Sequence, residues 1–342
     1  IIFCWVARMM MMGIYVMKDV PFRNVYLHAL VRDEYGDKMS KSKGNIIDPL
    51  RVIDRFGADA FRFTLAAFTA QGRDVKMSES RVEGYRNFIN KIWNAYRFCM
   101  MNLEDYDEKR EPAGGDYSLC DRWIRDRLNR TVREVTAALD EYRFNDAATE
   151  LYQFFWHEFC DWYLELVKGV LYSRDGSPGR AAAQQTLLLV LRTSIKLLHP
   201  FIPFITEEIW QSISDNGKSV MVSEFPGIDN SLSDTDAVAD MELVRNVITA
   251  IRNIRGVMHV PPGKKVRALA LCSDEGSMTI LRGADRYVVD LAGLNEFAVV
   301  NDAGDVKGAA VAVVGALKIY VYLGDAIDVQ AEKTRLDKEL NK

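Results

Sequence analysis

Two lysines three residues apart, Lys38 and Lys41, stand in the string Lys38-Met39-Ser40-Lys41-Ser42, which continues as Lys43-Gly44-Asn45. Lysine is a compact, strongly hydrated charge on a flexible stem. On a loop loosened by Gly44, two such ammoniums reach two phosphate oxygens at once. They suit negative charge that develops as a phosphate group departs. The string follows an apolar run at 24–31 that reads as a buried strand. It precedes Asp48-Pro49, an N-cap acid with proline at the first helical position. That setting separates it from a solvated, lysine-rich turn.

A second group of chemistry-bearing residues falls on a helix predicted at 80–101. Val82, Tyr85, Ile89, Ile92, Trp93, Tyr96 and Met100 share an apolar face at helical spacing. Opposite lie Asn87, Asn90, Lys91, Asn94 and Arg97, with Phe98 beside them as an exposed aromatic, and Arg81 near the helix start. Amides that bond base edges, cations that meet phosphate and an aromatic that stacks on bases are the groups that read single-stranded RNA. A solvated helix face accounts for Lys91 and Arg97 equally well, but not for Phe98. In Arg122, Arg125, Arg127, Arg130 and Arg133 the acids Asp121, Asp126 and Glu134 interleave, so pairing within the helix is expected. Between residues 243 and 273 stand Arg245, Arg252, Arg255, Lys264, Lys265 and Arg267 without an acid. This is either a phosphate-tracking surface or a helix whose acidic partners lie elsewhere. Phe154, Phe155, Trp156, Phe159, Trp162 and Tyr163 read as bundle core.

These groups need elements to hold them. Residues 1–16 read as a buried helix, too short and broken for a membrane span. Helices follow at 49–56 and 58–70, and then helices at 80–101, 118–142, 145–172, 180–198 and 203–213 are joined by short loops into an antiparallel bundle. After Phe225-Pro226-Gly227 a helix at 235–255, β-like runs at 266–272, 296–300, 309–314 and 317–323, and a helix at 277–293 make a small α/β domain. Charges at helical spacing from 329 onward read as the start of a coiled coil. The 342 residues suffice for two or more domains. With 49% hydrophobic and 27% charged residues, disorder and collagen-like sequence are excluded. A net charge of −4 confines nucleic-acid contact to local patches. Five cysteines without a Cys-x-x-Cys pair argue for a reducing, cytoplasmic setting, and four histidines outside any Cys/His cluster argue against a structural metal.

The lysine string resembles the signature of class I aminoacyl-tRNA synthetases, and the chain is similar throughout to their valyl family. The resemblance is carried by Phe3-Cys4-Trp5-Val6-Ala7-Arg8-Met9, by residues 38–50, and by Gly57-Ala58-Asp59-Ala60-Phe61-Arg62-Phe63. It continues in Glu83-Gly84-Tyr85-Arg86-Asn87-Phe88, Asn90-Lys91-Ile92-Trp93-Asn94, and His199-Pro200-Phe201-Ile202-Pro203-Phe204-Ile205-Thr206-Glu207-Glu208-Ile209-Trp210. It implies that Lys38 and Lys41 are catalytic, holding the pyrophosphate that leaves during amino-acid activation. It also implies an ATP site of His28, Lys38, Met39, Ser40, Lys41 and Ser42. Ala29 stands where the family has glycine after that histidine. Trp5 is either a wall of the valine pocket or plain core. Arg81, Asn87, Lys91, Asn94, Arg97 and Phe98 are implied as the anticodon contacts.

The fold expected is mainly α. A remnant of a Rossmann-type catalytic domain (1–78) precedes a helical anticodon-binding domain (79–225), a small α/β domain (226–328) and the start of a coiled coil (329–342). The family's His-x-Gly-His motif is absent, and the residues before the lysine loop are too few for its editing insertion. The chain therefore reads as the C-terminal piece of a larger ligase, inactive alone. In the whole enzyme, valine is joined to tRNA(Val) through an adenylate, with ATP and Mg2+ and no membrane, as a cytoplasmic monomer. The alternatives are an isoleucyl relative and a non-catalytic RNA-binding helical module.

Overall fold

The computed structural model describes residues 1–69, 74–109, 112–173, 177–214, 217–304 and 306–324. Helix α1 (Ala7–Met12) is flanked by π-helical turns at Ile2–Val6 and Gly13–Met17. Strand β1 (Val31–Arg32), a 3-10 turn at Lys41–Lys43, helices α2 (Pro49–Phe56) and α3 (Ala58–Phe68), and strand β2 (Val75–Lys76) follow. Helices α4 (Glu79–Leu103), α5 (Leu119–Asp140) and α6 (Phe144–Tyr152) come next. A π-helical stretch at Gln153–Tyr163 then leads into α7 (Leu164–Ser173), and α8 (Pro178–Leu198) and α9 (Pro203–Ile213) complete this set. The rest is α10 (Thr235–Val257), β3 (Val266–Leu271), α11 (Glu275–Gly283), α12 (Asp285–Ala292), β4 (Leu294–Val300), β5 (Ala309–Val314) and β6 (Leu317–Tyr322). The chain is mainly helical, as expected, and no described helix is long and apolar enough to cross a membrane.

The chain forms two compact units. The first takes residues 1–97, 131–156 and 192–227. Here α2 starts as its sequence requires: the Asp48 carboxylate accepts from Leu50 N at 3.0 Å, with Pro49 at the first position. It stops at Gly57, whose φ of 91° is open to glycine and strained for other residues. Val52, Phe56, Ala60, Met77 and Val82 form a core against which Met39, Ile47, Phe61, Leu65 and Ile89 pack. A ring cluster extends it: Phe63 lies 4.9 Å from Tyr85 and 5.2 Å from Phe88, and Phe88 lies 4.9 Å from Tyr152. The buried Asp59 of α3 accepts from Phe204 N (3.2 Å) and Ile205 N (2.7 Å), capping α9. Arg62 donates to the carbonyls of Phe201 and Pro200.

The second unit takes residues 98–130, 157–191 and 228–342. Its sheet runs β4-β3-β6-β5, with β3 parallel to β4 and the β3–β6 and β5–β6 pairs antiparallel. α11 and α12 supply the crossover between the parallel strands. α10 packs on β5 and β6. Trp123, Ile124, Leu128, Phe159, Tyr163 and Leu187 are buried. So is Asp121, which accepts from Tyr163 Oη (2.6 Å) and Ser118 Oγ (2.5 Å). The described sheet fits the small α/β part expected from the sequence.

Several expectations need correction. The helix near the N-terminus forms, but it is not buried: Phe3 is 89% exposed and Met11 71%. Its apolar side chains find no covering partner among the described residues. The run 24–31 is not a buried strand. It pairs over two residues, Val31 with Val75 and Arg32 with Lys76, because β2 gives way at once to α4, and Val25, Leu27 and Leu30 are exposed. The buried stripe of α4 is Val82, Phe88, Ile92, Ala95 and Cys99. Trp93, Tyr96 and Met100 are half-buried, so the inward phase is shifted from the one predicted. Two of the α5 arginines find their acids outside the helix, not within it as expected. Arg122 meets Asp234 at 2.8 Å and Arg127 meets Glu158 at 2.8 Å, because Asp121 is taken by Tyr163 and Asp126 accepts from Asp234 N. The helix predicted at 277–293 breaks into two at Ala284. The coiled coil expected at 329–342 lies outside the described residues.

Candidate functional site

The lysine loop is built on a buried carboxylate. Asp33, just past β1, accepts from the backbone N–H groups of Asp37 (2.7 Å) and Tyr35 (3.2 Å), closing a turn in which Gly36 takes φ 94°. The Asp33 side chain also accepts from Asn45 Nδ2 at 2.8 Å. That bond, with the backbone donors, holds the Asp33 carboxyl below the ordinary carboxylate range against the opposing effect of burial. Asn45 also accepts from Ser40 N at 2.9 Å and donates to the Lys38 carbonyl at 3.3 Å, so one amide ties both ends of the loop. Between them the Ser40 hydroxyl accepts from Lys43 N (3.3 Å), and Gly44 closes the 3-10 turn at φ 65°.

Within this frame the side chains divide by polarity. Met39 turns inward against the Val52–Phe56–Ala60 core. Lys38, Lys41, Ser42 and Lys43 are exposed, and the Lys43 ammonium reaches Asp37 at 3.4 Å. The result is an anchored loop presenting cations to solvent. Its donors fit phosphate oxygens. They fit a metal poorly, since ammoniums are no ligands and both oxygens of Asp33 are engaged. Among the described residues no group of three or more His, Cys, Asp or Glu gathers as a metal site. Asp33 and Asn45 were missed as positioning residues by the sequence reading. The Asp33-x-x-Gly36 turn was the available signal.

His28 is exposed, with Nδ1 2.8 Å from the Ala29 carbonyl, and Trp5 is 62% exposed with the Arg8 guanidinium 5.5 Å from its ring centre. Trp5 is thus not core in the described structure. Neither residue is brought to the lysine loop by a described contact.

On α4, Asn87, Asn90, Asn94 and Arg97 are exposed. Arg81 donates to the Lys76 carbonyl (2.9 Å) and covers the Phe68 ring at 4.3 Å. Lys91 is half-buried, 5.5 Å over the Trp156 ring. Phe98 is not the exposed aromatic expected: it is half-buried, with the Lys168 ammonium 6.0 Å from its ring centre. Three arginines of the 243–273 segment serve the fold. Arg252 donates to Leu291 O (2.8 Å), Arg255 to Gly293 O (2.9 Å), and Arg245 lies 4.9 Å over the Trp162 ring. Lys264 and Lys265 remain on an exposed loop.

Two segments of the chain match known families. Residues 1–78 match the family described as tRNA synthetases class I (I, L, M and V), and residues 121–270 match the anticodon-binding domain of tRNA ligase. The valine–tRNA ligase of Geobacter sulfurreducens is 51% identical over 100% of this chain and 39% of its own length. That of Syntrophotalea carbinolica is 48% identical over 100% and 38%, and that of Bacillus cereus 41% over 99% and 38%. The chain therefore spans about two fifths of the length of these relatives. Among solved structures, a ternary complex of the Agrobacterium radiobacter K84 agnB2 LeuRS with tRNA and LeuAMS superposes with a TM-score of 0.50. It is 26% identical and covers 66% of this chain and 27% of that one. By its sequence along its whole length, this chain belongs to the valine–tRNA ligase family of class I tRNA synthetases.

Proposed function

We propose that this chain supplies the lysine loop and the tRNA-recognition surface of an enzyme that joins valine to tRNA(Val) at the expense of ATP. The observation that carries the first half is the loop itself. Met39 and Asn45 fix its two ends while Lys38 and Lys41 stay in solvent. ATP, with Mg2+ held by its phosphates, supplies the activating chemistry when bound. The two ammoniums hold the charge that grows on the departing pyrophosphate, and the Asp33–Asn45 bond keeps their backbone in place. The loop hydroxyls of Ser40 and Ser42 and the ring of His28 are proposed as further nucleotide contacts, and Trp5 as a wall for the amino acid. Residues 1–78 act as the catalytic part, 79–225 as the helical tRNA-binding part and 226–328 as the small α/β part.

The second half rests on the polar face of α4, where Arg81, Asn87, Lys91, Asn94, Arg97 and Phe98 are the proposed tRNA contacts. The test is binding of the chain to a valine tRNA transcript, one with an altered anticodon, and an isoleucine tRNA, at two salt concentrations. Base readout predicts a loss of about 1–3 kcal/mol for the wrong base on a shared salt slope. Equal binding to all three overturns the anticodon assignment. The same chain is expected to give no ATP–pyrophosphate exchange with valine, because the His-x-Gly-His motif is not in its sequence. Measurable exchange refutes that division of labour.

A further inference from the structure

The first unit holds a cavity of about 440 Å³ where the α2–α3 corner, α4 and the first turn of α9 meet. Phe56, Ile89 and Phe204 give it apolar walls, and Arg86, Asn90 and Glu208 line it as polar groups. Phe204 is 65% exposed, although it opens a helix whose next residues, Thr206 and Ile209, are buried. Its backbone does not move freely. Pro203 sets the first helical position, and the buried Asp59 carboxylate takes the N–H groups of Phe204 and Ile205. A rigid exposed aromatic at the mouth of a cavity is a stacking surface, and an exposed apolar ring has no stabilising role that demands it.

The polar lining narrows the occupant. Asn90 carries a donor and an acceptor on one planar group, the pattern that pairs bidentately with a base edge. Glu208 offers acceptors for an exocyclic amine. Arg86 contributes a cation, although Glu83 at 3.0 Å and the Asn87 side chain at 3.4 Å share it and it lies 5.9 Å from the Phe56 ring centre. Glu208 also repels phosphate, so the cavity favours a base over the sugar–phosphate chain. The polar face of α4 calls for an aromatic partner that Phe98, half-buried beside Lys168, does not supply. Phe204 stands on the same cavity as Asn90 of that face. Phe204 and Glu208 lie inside the segment matching the anticodon-binding domain.

We infer that this cavity takes one unpaired base of bound tRNA, stacked on Phe204 and read at its edge by Asn90 and Glu208. The inference rests on the tRNA-binding reading above and adds to it a subsite in which Phe204 and Glu208 of α9 join Asn90 of the predicted face.

The test is equilibrium binding of the 342-residue chain to a valine tRNA transcript at two salt concentrations. Phe204→Ala, Phe204→Trp and Asn90→Ala are compared with the parent, each with its melting temperature. Loss of one base–aromatic stack predicts roughly 5- to 160-fold weaker binding for Phe204→Ala. The salt slope and melting temperature stay unchanged, because the ring is exposed and no phosphate contact is lost. Phe204→Trp retains binding. Abasic substitution at one single-stranded position of the tRNA costs as much as Phe204→Ala, and the two together cost little more. Undiminished binding by Phe204→Ala, with the parent still binding, overturns the subsite and leaves the tRNA reading standing. A reduced salt slope overturns it too, since that marks a phosphate contact. Failure of the parent to bind overturns both.

Discussion

Asn45→Ala tests whether one amide holds the lysine loop. The parent residue accepts from Ser40 N at 2.9 Å and donates to Asp33 Oδ2 at 2.8 Å and to Lys38 O at 3.3 Å. A neutral hydrogen bond nets about 0.5–1.5 kcal/mol and one to a charged group about 1.5–3 kcal/mol. The sum overstates the loss, because Asn45 is half-buried and water replaces part of what is removed. The long bond to Lys38 O also contributes little. A net local cost of about 1–2 kcal/mol follows. It corresponds to roughly 5- to 30-fold faster exchange of the loop amides through local opening. The assay is hydrogen exchange of Ser40 and Lys43, read against the amides of α10 as an internal reference. The Asp33 carboxyl adds a sign. Its folded pKa lies below the ordinary aspartate value of 3.8, chiefly through Asn45. Its contribution is therefore present above that value and is lost as pH falls through the folded pKa. The difference between parent and variant is expected to shrink in acid. Exchange of Ser40 within twofold of the parent at neutral pH refutes the anchoring argument.

Three further outcomes are expected. Asp59→Ala strips the cap from α9 and costs about 1–2 kcal/mol in urea unfolding, whereas Asp59→Asn, which keeps an acceptor, costs less than half of that. Asp105→Ala removes the carboxylate that Arg180 holds at 2.7 and 2.9 Å and leaves a buried guanidinium without it. A loss of about 1–3 kcal/mol is expected at neutral pH. It fades as pH falls below 3.8, since Arg180 holds the Asp105 pKa down. Tyr163→Phe takes one donor from the buried Asp121 and costs about 1–3 kcal/mol. Burial raises the Asp121 pKa, so the cost is full where that carboxylate is charged and shrinks as pH falls through its folded value. Thermal melts across pH check both signs.

Local chemistry was legible wherever neighbouring residues decide it. Asp48-Pro49 and Gly57 bounded α2 because an N-cap, an N1 proline and a left-handed exit act within a turn. The strands at 309–314 and 317–322 followed from short apolar runs punctuated by Gly315. What failed depended on partners far along the chain. Residues 24–31 have strand composition, but a ladder needs a neighbour of equal length, and β2 offers two residues. The helix near the N-terminus has core composition without a described core to enter. On α4 the stripe was phased on Trp93 and Met100, whereas the ring cluster of Phe63, Tyr152 and Phe155 draws Phe88 inward instead.

The arginines show why charge in sequence is weak evidence for nucleic acid. Residues 243–273 hold six cations and no acid, which in isolation suits phosphate. Arg252 and Arg255 are spent on carbonyls at the C-terminal end of α12, where the helix leaves its last acceptors unpaired and its dipole favours a cation. Burial and two indole rings hold Arg245, with Trp162 the nearer of the two. The count of basic residues is thus a count of possible donors, and helix ends and aromatic faces compete for them with RNA. The same reasoning runs in reverse for Phe204. An aromatic in an apolar string reads as core, yet Asp59 fixes the first turn of α9 so that Ile205 and Thr206 turn inward and the Phe204 ring turns out. Which face a residue presents is settled by the cap, and the cap comes from a residue 145 positions away.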